Sequence, residues 1–166
     1  MNQPHGDIAI LTDSSCDLPQ QYFKKYPIFR LPLTVTCGET AYRDGSDITA
    51  DEVYRRQPEE DFKTSLPLRE DVDATFDAIA RAGYGKVIVL PLSSALSSTS
   101  SQLKLIAAER TDLEIEVYDS RRCASAGLGM LAVQAAQYAV SGMEFERLKQ
   151  VTAQLIEDTT VFFCID

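Results

Sequence analysis

A cluster of hydroxyl side chains lies near the middle of the chain, where residues 93–101 include six serines and one threonine. Residues 86–90 are apolar and β-branched and predict a strand before the cluster, and residues 103–110 predict a helix after it. Thr99 and Gln102 have the spacing of a capping box, so the helix is predicted to begin inside the cluster. Serine hydroxyls and free N–H groups at the positive end of a helix favour the binding of an anion. Loop and N-cap roles explain one or two of the serines, but not six.

The elements around this cluster alternate between strands and helices. Strands are predicted at residues 8–12, 28–36, 86–90, 113–118 and 160–166, and helices at residues 18–26, 49–56, 70–82, 103–110, 122–140 and 145–158. Pro32 predicts an edge or a bulge in the second strand. Residues 37–45 predict the turns of a small hairpin, and residues 62–67 predict another loop that carries hydroxyls. The face of the fifth helix expected to lie against the sheet consists of Ala126, Met130, Val133 and Ala136.

This alternation predicts an α/β fold, a three-layer domain with a mainly parallel sheet and helices on both faces. Hydroxyl and carboxylate side chains follow several of the predicted strands, at Thr12-Asp13-Ser14, Thr34-Val35-Thr36, Ser93-Ser94 and Asp119-Ser120. Ligands of such folds bind beyond the carboxyl ends of the strands. The sequence therefore predicts a binding site at this edge of the sheet.

Several enzyme chemistries lack their residues in this sequence. The only histidine is His5, and no G-x-S-x-G segment is present, which argues against a serine hydrolase. Asp13 and Asp17 are explained more simply by Asx turns and helix capping than by a phosphoaspartate or metal pair. Gly127 and Gly129 fit close packing of a helix on the sheet better than a dinucleotide fingerprint. Binding by neutral donors is the chemistry that remains.

The composition narrows the class of protein further. The chain has 166 residues, 45% of them hydrophobic, and a net charge of −9, which argues for one globular domain and against a nucleic-acid partner. Four widely separated cysteines favour free thiols over a zinc site. Residues 1–7 predict a loose tail, and residues 8–166 the folded domain. The sequence has no apolar run of membrane-spanning length, so we expect a cytoplasmic protein without stable membrane insertion.

Leucines are interspersed with the hydroxyl donors, at Leu66, Leu92 and Leu96. A ligand with an anionic head and an apolar body suits this mixture, because most small-molecule sites are apolar with a few polar anchors. Serine-rich loops between a strand and a helix also resemble the phosphate loops of sugar-isomerase domains. A phosphosugar or phosphoanion sensor, or an isomerase-like domain, is therefore the alternative.

Six short segments, in order, resemble the DegV family of bacterial fatty-acid-binding proteins over nearly the whole chain. They are Leu11-Thr-Asp-Ser-Ser-Cys-Asp-Leu18, Pro32-Leu-Thr-Val-Thr36, Tyr42-Arg-Asp-Gly45 with Asp47-Ile-Thr49, Lys63-Thr-Ser-Leu-Pro67, Leu92-Ser-Ser-Ala-Leu-Ser-Ser-Thr99, and Tyr118-Asp-Ser-Arg121 with Gly127-Leu-Gly129. Each segment is weak alone, but the six in the family's order are specific.

The resemblance implies a protein that binds one long-chain fatty acid and presents its carboxylate to a fatty acid kinase. The binder is not the catalyst, and no cofactor is implied beyond the bound fatty acid. In the family the carboxylate is held by the threonine and serine that correspond to Thr64 and Ser97. Ser65, Ser93 and Ser94 are second choices for the same role.

The sequence departs from the family in two ways. Leu66 and Ser98 stand where the family usually has glutamine and glycine, and Ser98 adds a Cβ in a loop that favours glycine. The family's chains also continue beyond a strand matching residues 161–166 into a second domain. We therefore expect residues 8–166 to be a DegV-type amino-terminal domain without its carboxy-terminal partner. The surface left uncovered favours self-association as a homo-oligomer.

Overall fold

A computed structural model gives the fold of residues 6–162. The strands are β1 (Ile8–Asp13), β2 (Ile28–Leu31), β3 (Thr34–Cys37), β4 (Thr40–Arg43), β5 (Phe62–Ser65), β6 (Lys86–Leu90) and β7 (Glu114–Val117). The helices are α1 (Gln20–Lys25), α2 (Ala50–Arg56), α3 (Arg69–Arg81), α4 (Thr99–Glu109), α5 (Ser125–Val140) and α6 (Phe145–Asp158). A single 3-10 turn, Ser14–Cys16, follows β1.

Four parallel strands form the central sheet in the order β2-β1-β6-β7. Apolar residues fill most of β1 and β6, which suits strands that are buried on both faces. Successive side chains of β1 point to opposite faces, so that Ile8 and Ile10 pack with residues of α5 and α6, whereas Ala9 and Leu11 pack with residues of α3 and α4. Helices cover both faces of this sheet, and the predicted three-layer α/β fold is confirmed.

A second, smaller sheet is antiparallel and has the order β4-β3-β5. Gly38 forms the turn between β3 and β4 with a φ of 58°, which confirms the predicted hairpin. The prediction of one strand over residues 28–36 is wrong, because the chain leaves the parallel sheet after Leu31 and enters the antiparallel sheet at Thr34. Pro32 lies at this break, where its missing N–H interrupts no ladder.

The prediction of a loop at residues 62–67 is also wrong in its first part. Residues Phe62–Ser65 form β5, and Thr64 pairs with Val35 of β3. Most side chains of β5 are exposed and polar, so the strand lacks the alternation by which strands are recognised in sequences. Backbone pairing with β3, rather than burial, makes this segment a strand.

The predicted core-facing side of α5 is only half right. Ala136 is buried and Val133 packs against the core, but Met130 is 71% exposed and Ala126 is exposed. Leu128 and Leu131, which were not predicted to face the core, are buried. The helix is apolar on more than one side, so the spacing of its apolar residues does not identify the buried face. The helix also begins at Ser125, three residues after the predicted start at Arg122.

Two predicted helix caps have different outcomes. Thr49 caps α2 as predicted, since its side chain accepts a hydrogen bond from the N–H of the third helical residue. The predicted capping box of Thr99 and Gln102 is wrong, because the N-cap of α4 is Ser98, without a side-chain cap bond. The Gln102 amide instead donates to the carbonyl of Pro67 at 2.9 Å.

The two ends of the chain are only partly described. Residues 1–5 of the predicted tail and residues 163–166 of the predicted last strand lie outside the described residues, and residues 160–162 are not in a strand. The carboxylate of Asp7 accepts a hydrogen bond from the N–H of Gly85 at 2.9 Å. Within residues 6–162, none of the helices has both the length and the apolar character needed to cross a membrane. The domain boundaries stay a prediction.

Candidate functional site

The loop from Leu92 to Ser98 joins β6 to α4 at the carboxyl edge of the parallel sheet. Asp13, the last residue of the neighbouring strand β1, accepts a hydrogen bond from the N–H of Leu92 at 2.6 Å. The same carboxylate accepts bonds from the N–H and the hydroxyl of Ser15, at 3.0 and 2.5 Å. A single buried carboxylate therefore joins the serine loop to the turn after β1.

Asp119 holds the loop from its other side, just after β7. Its carboxylate accepts hydrogen bonds from the N–H of Ser94 at 2.9 Å and from the Ser94 hydroxyl at 2.5 Å. It also accepts one from the N–H of Arg121 at 2.9 Å. The Ser94 hydroxyl hydrogen is thus directed at a carboxylate of the protein.

The Ser93 hydroxyl is also engaged inside the protein. Ser93 is buried, and its hydroxyl donates to the carbonyl of Arg121 and accepts from the N–H of Ala95 at 3.2 Å. Its own carbonyl accepts the N–H groups of Leu96 at 2.9 Å and Ser97 at 3.0 Å. Ser93 therefore forms the centre of a tight turn that leads to Ser97.

Ser97 forms a pair of hydroxyls with Thr99, the first residue of α4. Their oxygens lie 2.8 Å apart, and either hydroxyl is able to donate. The Ser97 oxygen also accepts the N–H of Thr99 at 3.3 Å. Thr99 is fully buried and Ser97 is partly exposed, so when Thr99 donates the internal bond, the Ser97 hydrogen is left at the accessible side of the pair, at the N-terminus of α4.

Thr64 and Ser65 lie on β5 of the smaller sheet, and both are exposed. Neither side chain has a hydrogen-bond partner among residues 6–162. The Thr34 hydroxyl donates to the carbonyl of Leu66 at 2.9 Å, which fixes the end of β5. The bond from Gln102 to Pro67, 2.9 Å long, then connects the segment after β5 to α4. Through it, the sequence that carries Thr64 is joined to the helix that follows Ser97.

A cavity of about 270 Å³ lies beside Thr64. Its apolar lining comes from β3, α2 and β5, and includes Val35, Val53, Tyr54 and Phe62. Two of its lining residues, Asp44 and Ala50, also line a cavity of about 420 Å³ near the turn after β1. A third groove, of about 340 Å³, lies between that turn and α5. This groove shares residues 16–19 with the 420 Å³ cavity, so the three openings adjoin one another.

The two carboxylates that hold the serine loop differ in their electrostatics. Burial raises the pKa of Asp13, and the bonds from Ser15 and Leu92 only partly offset this effect. Burial also acts to raise the pKa of Asp119, but its bonds from Ser94 and Arg121 outweigh it, so the pKa of Asp119 is lowered. Asp13 is therefore an acceptor that is costly to keep ionised.

The described part of the chain contains no cluster of three or more His, Cys, Asp or Glu side chains suited to a metal ion. Cys16, Cys37 and Cys123 are free thiols, and Cys164 lies outside the described residues. Burial raises the pKa of the Cys16 thiol, which makes a thiolate there unfavourable.

Sequence reasoning identified the serine loop and placed Asp13 and Asp119 at the same edge of the sheet, but it gave Asp13 a turn or capping role and no contact with the loop. Asp13 does accept the N–H of Ser15, but it also contacts Leu92, a residue 79 positions away in the chain. In the sequence, Asp13 ends one predicted strand and Asp119 follows another. Both strands flank β6, but this is known only from the strand order of the sheet, which the sequence does not give.

Comparison with known proteins gives the same fold and family. A family model described as "Uncharacterised protein, DegV family" matches residues 7–166. A DegV domain-containing protein of Clostridium perfringens is 31% identical over 159 residues, which cover 96% of this chain and 56% of the relative. The chain therefore spans little more than half the length of such relatives.

Two solved structures extend this comparison. A DegV family protein from Thermus thermophilus, described with fatty acid binding, is 28% identical with a TM-score of 0.79, over 91% of this chain and 54% of that one. A stearic acid-binding protein from Eubacterium ventriosum is 30% identical with a TM-score of 0.76, over 88% of this chain and 52% of that one. With a family match from residue 7 to residue 166 and the same fold, the chain belongs to the DegV family.

Proposed function

We propose that this chain binds a long-chain fatty acid and holds its carboxylate through the hydroxyls of Thr64 and Ser97. Relatives with solved structures are described as fatty-acid-binding proteins, which supports this ligand class. The choice of these two residues rests on one observation: some hydroxyl hydrogens at the sheet edge are already engaged in bonds within the protein, and others are not. The hydroxyls of Ser93 and Ser94 already donate to Arg121 and Asp119.

Thr64 and Ser97 have donors left for a ligand. Thr64 is exposed without a partner among the described residues, and the Ser97–Thr99 pair keeps one hydrogen beyond its internal bond. Ser65 is a further donor on the same strand. A fatty-acid carboxylate needs several donors because it carries a full charge, and bonds to a charged group are worth about 1.5–3 kcal/mol each.

The acyl chain is proposed to enter the apolar cavity beside Thr64. Val35, Val53 and Phe62 line this cavity, and they offer the contacts that a hydrocarbon requires. The cavity is not enclosed by the chain, and this chain covers only 56% of the length of a relative such as the Clostridium perfringens protein. We propose that the remaining part of a full-length protein closes the site.

The chain is proposed to act as a carrier rather than as an enzyme. An exposed Thr64 and a half-buried Ser97 leave the carboxylate accessible to a second protein. That second protein is proposed to be a fatty acid kinase, which would phosphorylate the carboxylate in the cytoplasm. Self-association through the uncovered apolar surface, which includes Met130, is proposed for the chain alone.

A phosphosugar or phosphoanion sensor, or an isomerase-like domain, is the second candidate. The absence of a side-chain cap at Ser98 on α4 favours it, because the free N–H groups of this helix end suit a phosphate. Inorganic phosphate and a sugar phosphate would then compete for the site with any bound ligand. For the fatty-acid proposal we expect no such competition.

The first experiment is native mass spectrometry of the chain purified from bacteria, followed by titration of the delipidated protein with stearate. Retention or binding of a fatty acid is the expected result. Ser97→Ala and Thr64→Ala should each weaken binding by about 1–3 kcal/mol, the range for losing a bond to a charged group. Thr111→Ala is the matched control, because it removes an exposed hydroxyl near the opposite end of α4. If Ser97→Ala and Thr64→Ala bind stearate as tightly as Thr111→Ala does, the assignment of Thr64 and Ser97 to the site is refuted.

A further inference from the structure

Asp13 is an unusual acceptor in the described part of the chain. Its side chain is 1% exposed, and none of the ion pairs among residues 6–162 includes it. Three donors from Ser15 and Leu92 surround the carboxylate, at 2.5–3.0 Å. A buried carboxylate without a cation is costly, so its presence here needs a reason other than stability.

The geometry supplies that reason. Because β6 lies between β1 and β7, the loop after β6 is flanked by the ends of both neighbours. Asp13 at the end of β1 accepts the N–H of Leu92, and Asp119 after β7 accepts the N–H and the hydroxyl of Ser94. Between these anchors Ser93 turns the backbone, so that its carbonyl accepts the N–H of Ser97 at 3.0 Å.

We propose that Asp13 and Asp119 are positioning residues, which fix the loop from Leu92 to Ser97 so that the Ser97 hydroxyl meets a ligand carboxylate. This inference rests on the proposed function, and it assigns a role to residues that do not touch the ligand themselves. Asp13 accepts one loop donor, the N–H of Leu92, and Asp119 accepts two, the N–H and the hydroxyl of Ser94. Their remaining donors come from Ser15 and Arg121, which lie outside the loop. The loop is thereby ordered before a ligand arrives, which reduces the entropy cost of binding.

The test compares Asp13→Asn and Asp119→Ala with Thr12→Val. Asparagine suffices at position 13, where its NH2 group faces an N–H donor, but at position 119 it would keep the bonds to Ser94 and Arg121. Thr12 precedes Asp13 in β1, is equally buried, and has a hydroxyl without a partner, so this control alters the same strand but no bond to the loop. Amide hydrogen exchange of Leu92, Ser94 and Ser97 is measured by NMR in the ligand-free chain. Stearate affinity is measured at a temperature at which every variant is folded.

We expect Asp13→Asn and Asp119→Ala each to raise exchange at the loop amides at least tenfold and to weaken stearate binding at least tenfold. Thr12→Val should change neither quantity. If the two Asp variants lose thermal stability but keep the loop exchange and the affinity of the wild type, the carboxylates are merely structural and the proposal is overturned. If Asp13→Asn does not fold, Asp119→Ala, at a more exposed position, decides the question.

Failure of the proposed function gives a different result. A wild-type chain that binds no stearate refutes fatty-acid binding by this chain but leaves the exchange measurement in place. Unchanged exchange at Ser97 in both Asp13→Asn and Asp119→Ala would then also overturn the positioning roles. Raised exchange would support the ordering of the loop by Asp13 and Asp119 for whichever ligand it holds.

Discussion

The two sheets of this chain contribute the two halves of the candidate site under very different conditions. The parallel sheet is covered by helices on both faces, and the loop that carries Ser97 is anchored by carboxylates from both neighbouring strands. The smaller sheet has three short antiparallel strands, and Thr64 lies on an exposed one at its edge. One half of the site is therefore anchored to the core by hydrogen bonds to two carboxylates, and the other is supported mainly by backbone pairing.

This difference teaches that a binding site can combine a fixed and an adjustable half. Local stability is highest where apolar contacts are dense and lowest where backbone hydrogen bonds face solvent. Most of the Ser97 loop is itself exposed, but carboxylates at the ends of core strands hold it, whereas β5 is an exposed edge strand. We therefore expect a ligand to order β5 more than it orders the serine loop.

The largest expected effect comes from the core of the parallel sheet. Phe76 of α3 is fully buried against β1 and β6, whereas Phe62 of β5 is only partly buried. Phe76→Ala should reduce the free energy of unfolding by about 3–5 kcal/mol, the usual cost of removing a buried phenyl ring. Phe62→Ala should cost clearly less. Urea unfolding of both variants measures the contrast, and equal losses would mean that the smaller sheet is as tightly packed as the core.

A smaller effect is expected within the antiparallel sheet. The Thr34 hydroxyl is buried and donates to the Leu66 carbonyl at 2.9 Å, just beyond β5. Thr34→Val keeps the shape but removes the donor, and should cost about 1 kcal/mol. Amide exchange should rise in β5 and remain unchanged in β6. A rise in both strands would show that the two sheets unfold as one unit.

The smallest expected effect is the change of stability with pH. This change should have opposite directions for a carboxylate beside the parallel sheet and for one near the smaller sheet. Burial raises the pKa of Asp13 above its ordinary value of 3.8, so its contribution to stability is present below that value and is lost as pH rises through the raised pKa. Near the smaller sheet, bonds from Arg56 and Cys37 lower the pKa of Glu60 from 4.5 to about 2. The contribution of Glu60 is present above 4.5 and is lost as pH falls toward 2.

Urea unfolding from about pH 3 to about pH 7 separates these two signs. As pH falls, the stability of the wild type relative to Asp13→Asn should increase, and its stability relative to Glu60→Gln should decrease. The Glu60 effect should be small, because this side chain is partly exposed and its ion pair is screened by solvent. The same pH trend for both variants would contradict the assigned electrostatics.

Much of the parallel sheet and its covering helices could be predicted from the sequence. The strands are apolar, and turn-forming residues mark the ends of the helices. Residues 8–12 and 86–90 were correctly predicted as strands, since burial on both faces leaves a continuous apolar run. The smaller sheet was harder to predict. Its strand β5 is polar and exposed, and Pro32 divides two strands that have no polar turn between them.

The candidate site also has one part that could be predicted from the sequence and one part that could not. The serine loop and its place before α4 could be predicted from composition, and the resemblance to a family supplied Thr64 and Ser97. The contact of Asp13 with Leu92 could not be predicted, because it depends on which strand lies beside β6. The buried face of α5 was partly mispredicted for a related reason, since Met130 is apolar yet is left outside the core.

The hydroxyl pair of Ser97 and Thr99 has one more consequence for a ligand. Thr99 is fully buried and Ser97 is partly exposed, so only the Ser97 hydroxyl is able to reach a ligand, whichever oxygen donates across the 2.8 Å that separates them. Reversing the direction of this bond requires only rotation of two hydroxyl groups, with no backbone movement. When Thr99 donates, Ser97 offers a hydrogen to a ligand, and when Ser97 donates, it offers only its oxygen, so one rigid loop is able to present either a donor or an acceptor to a head group.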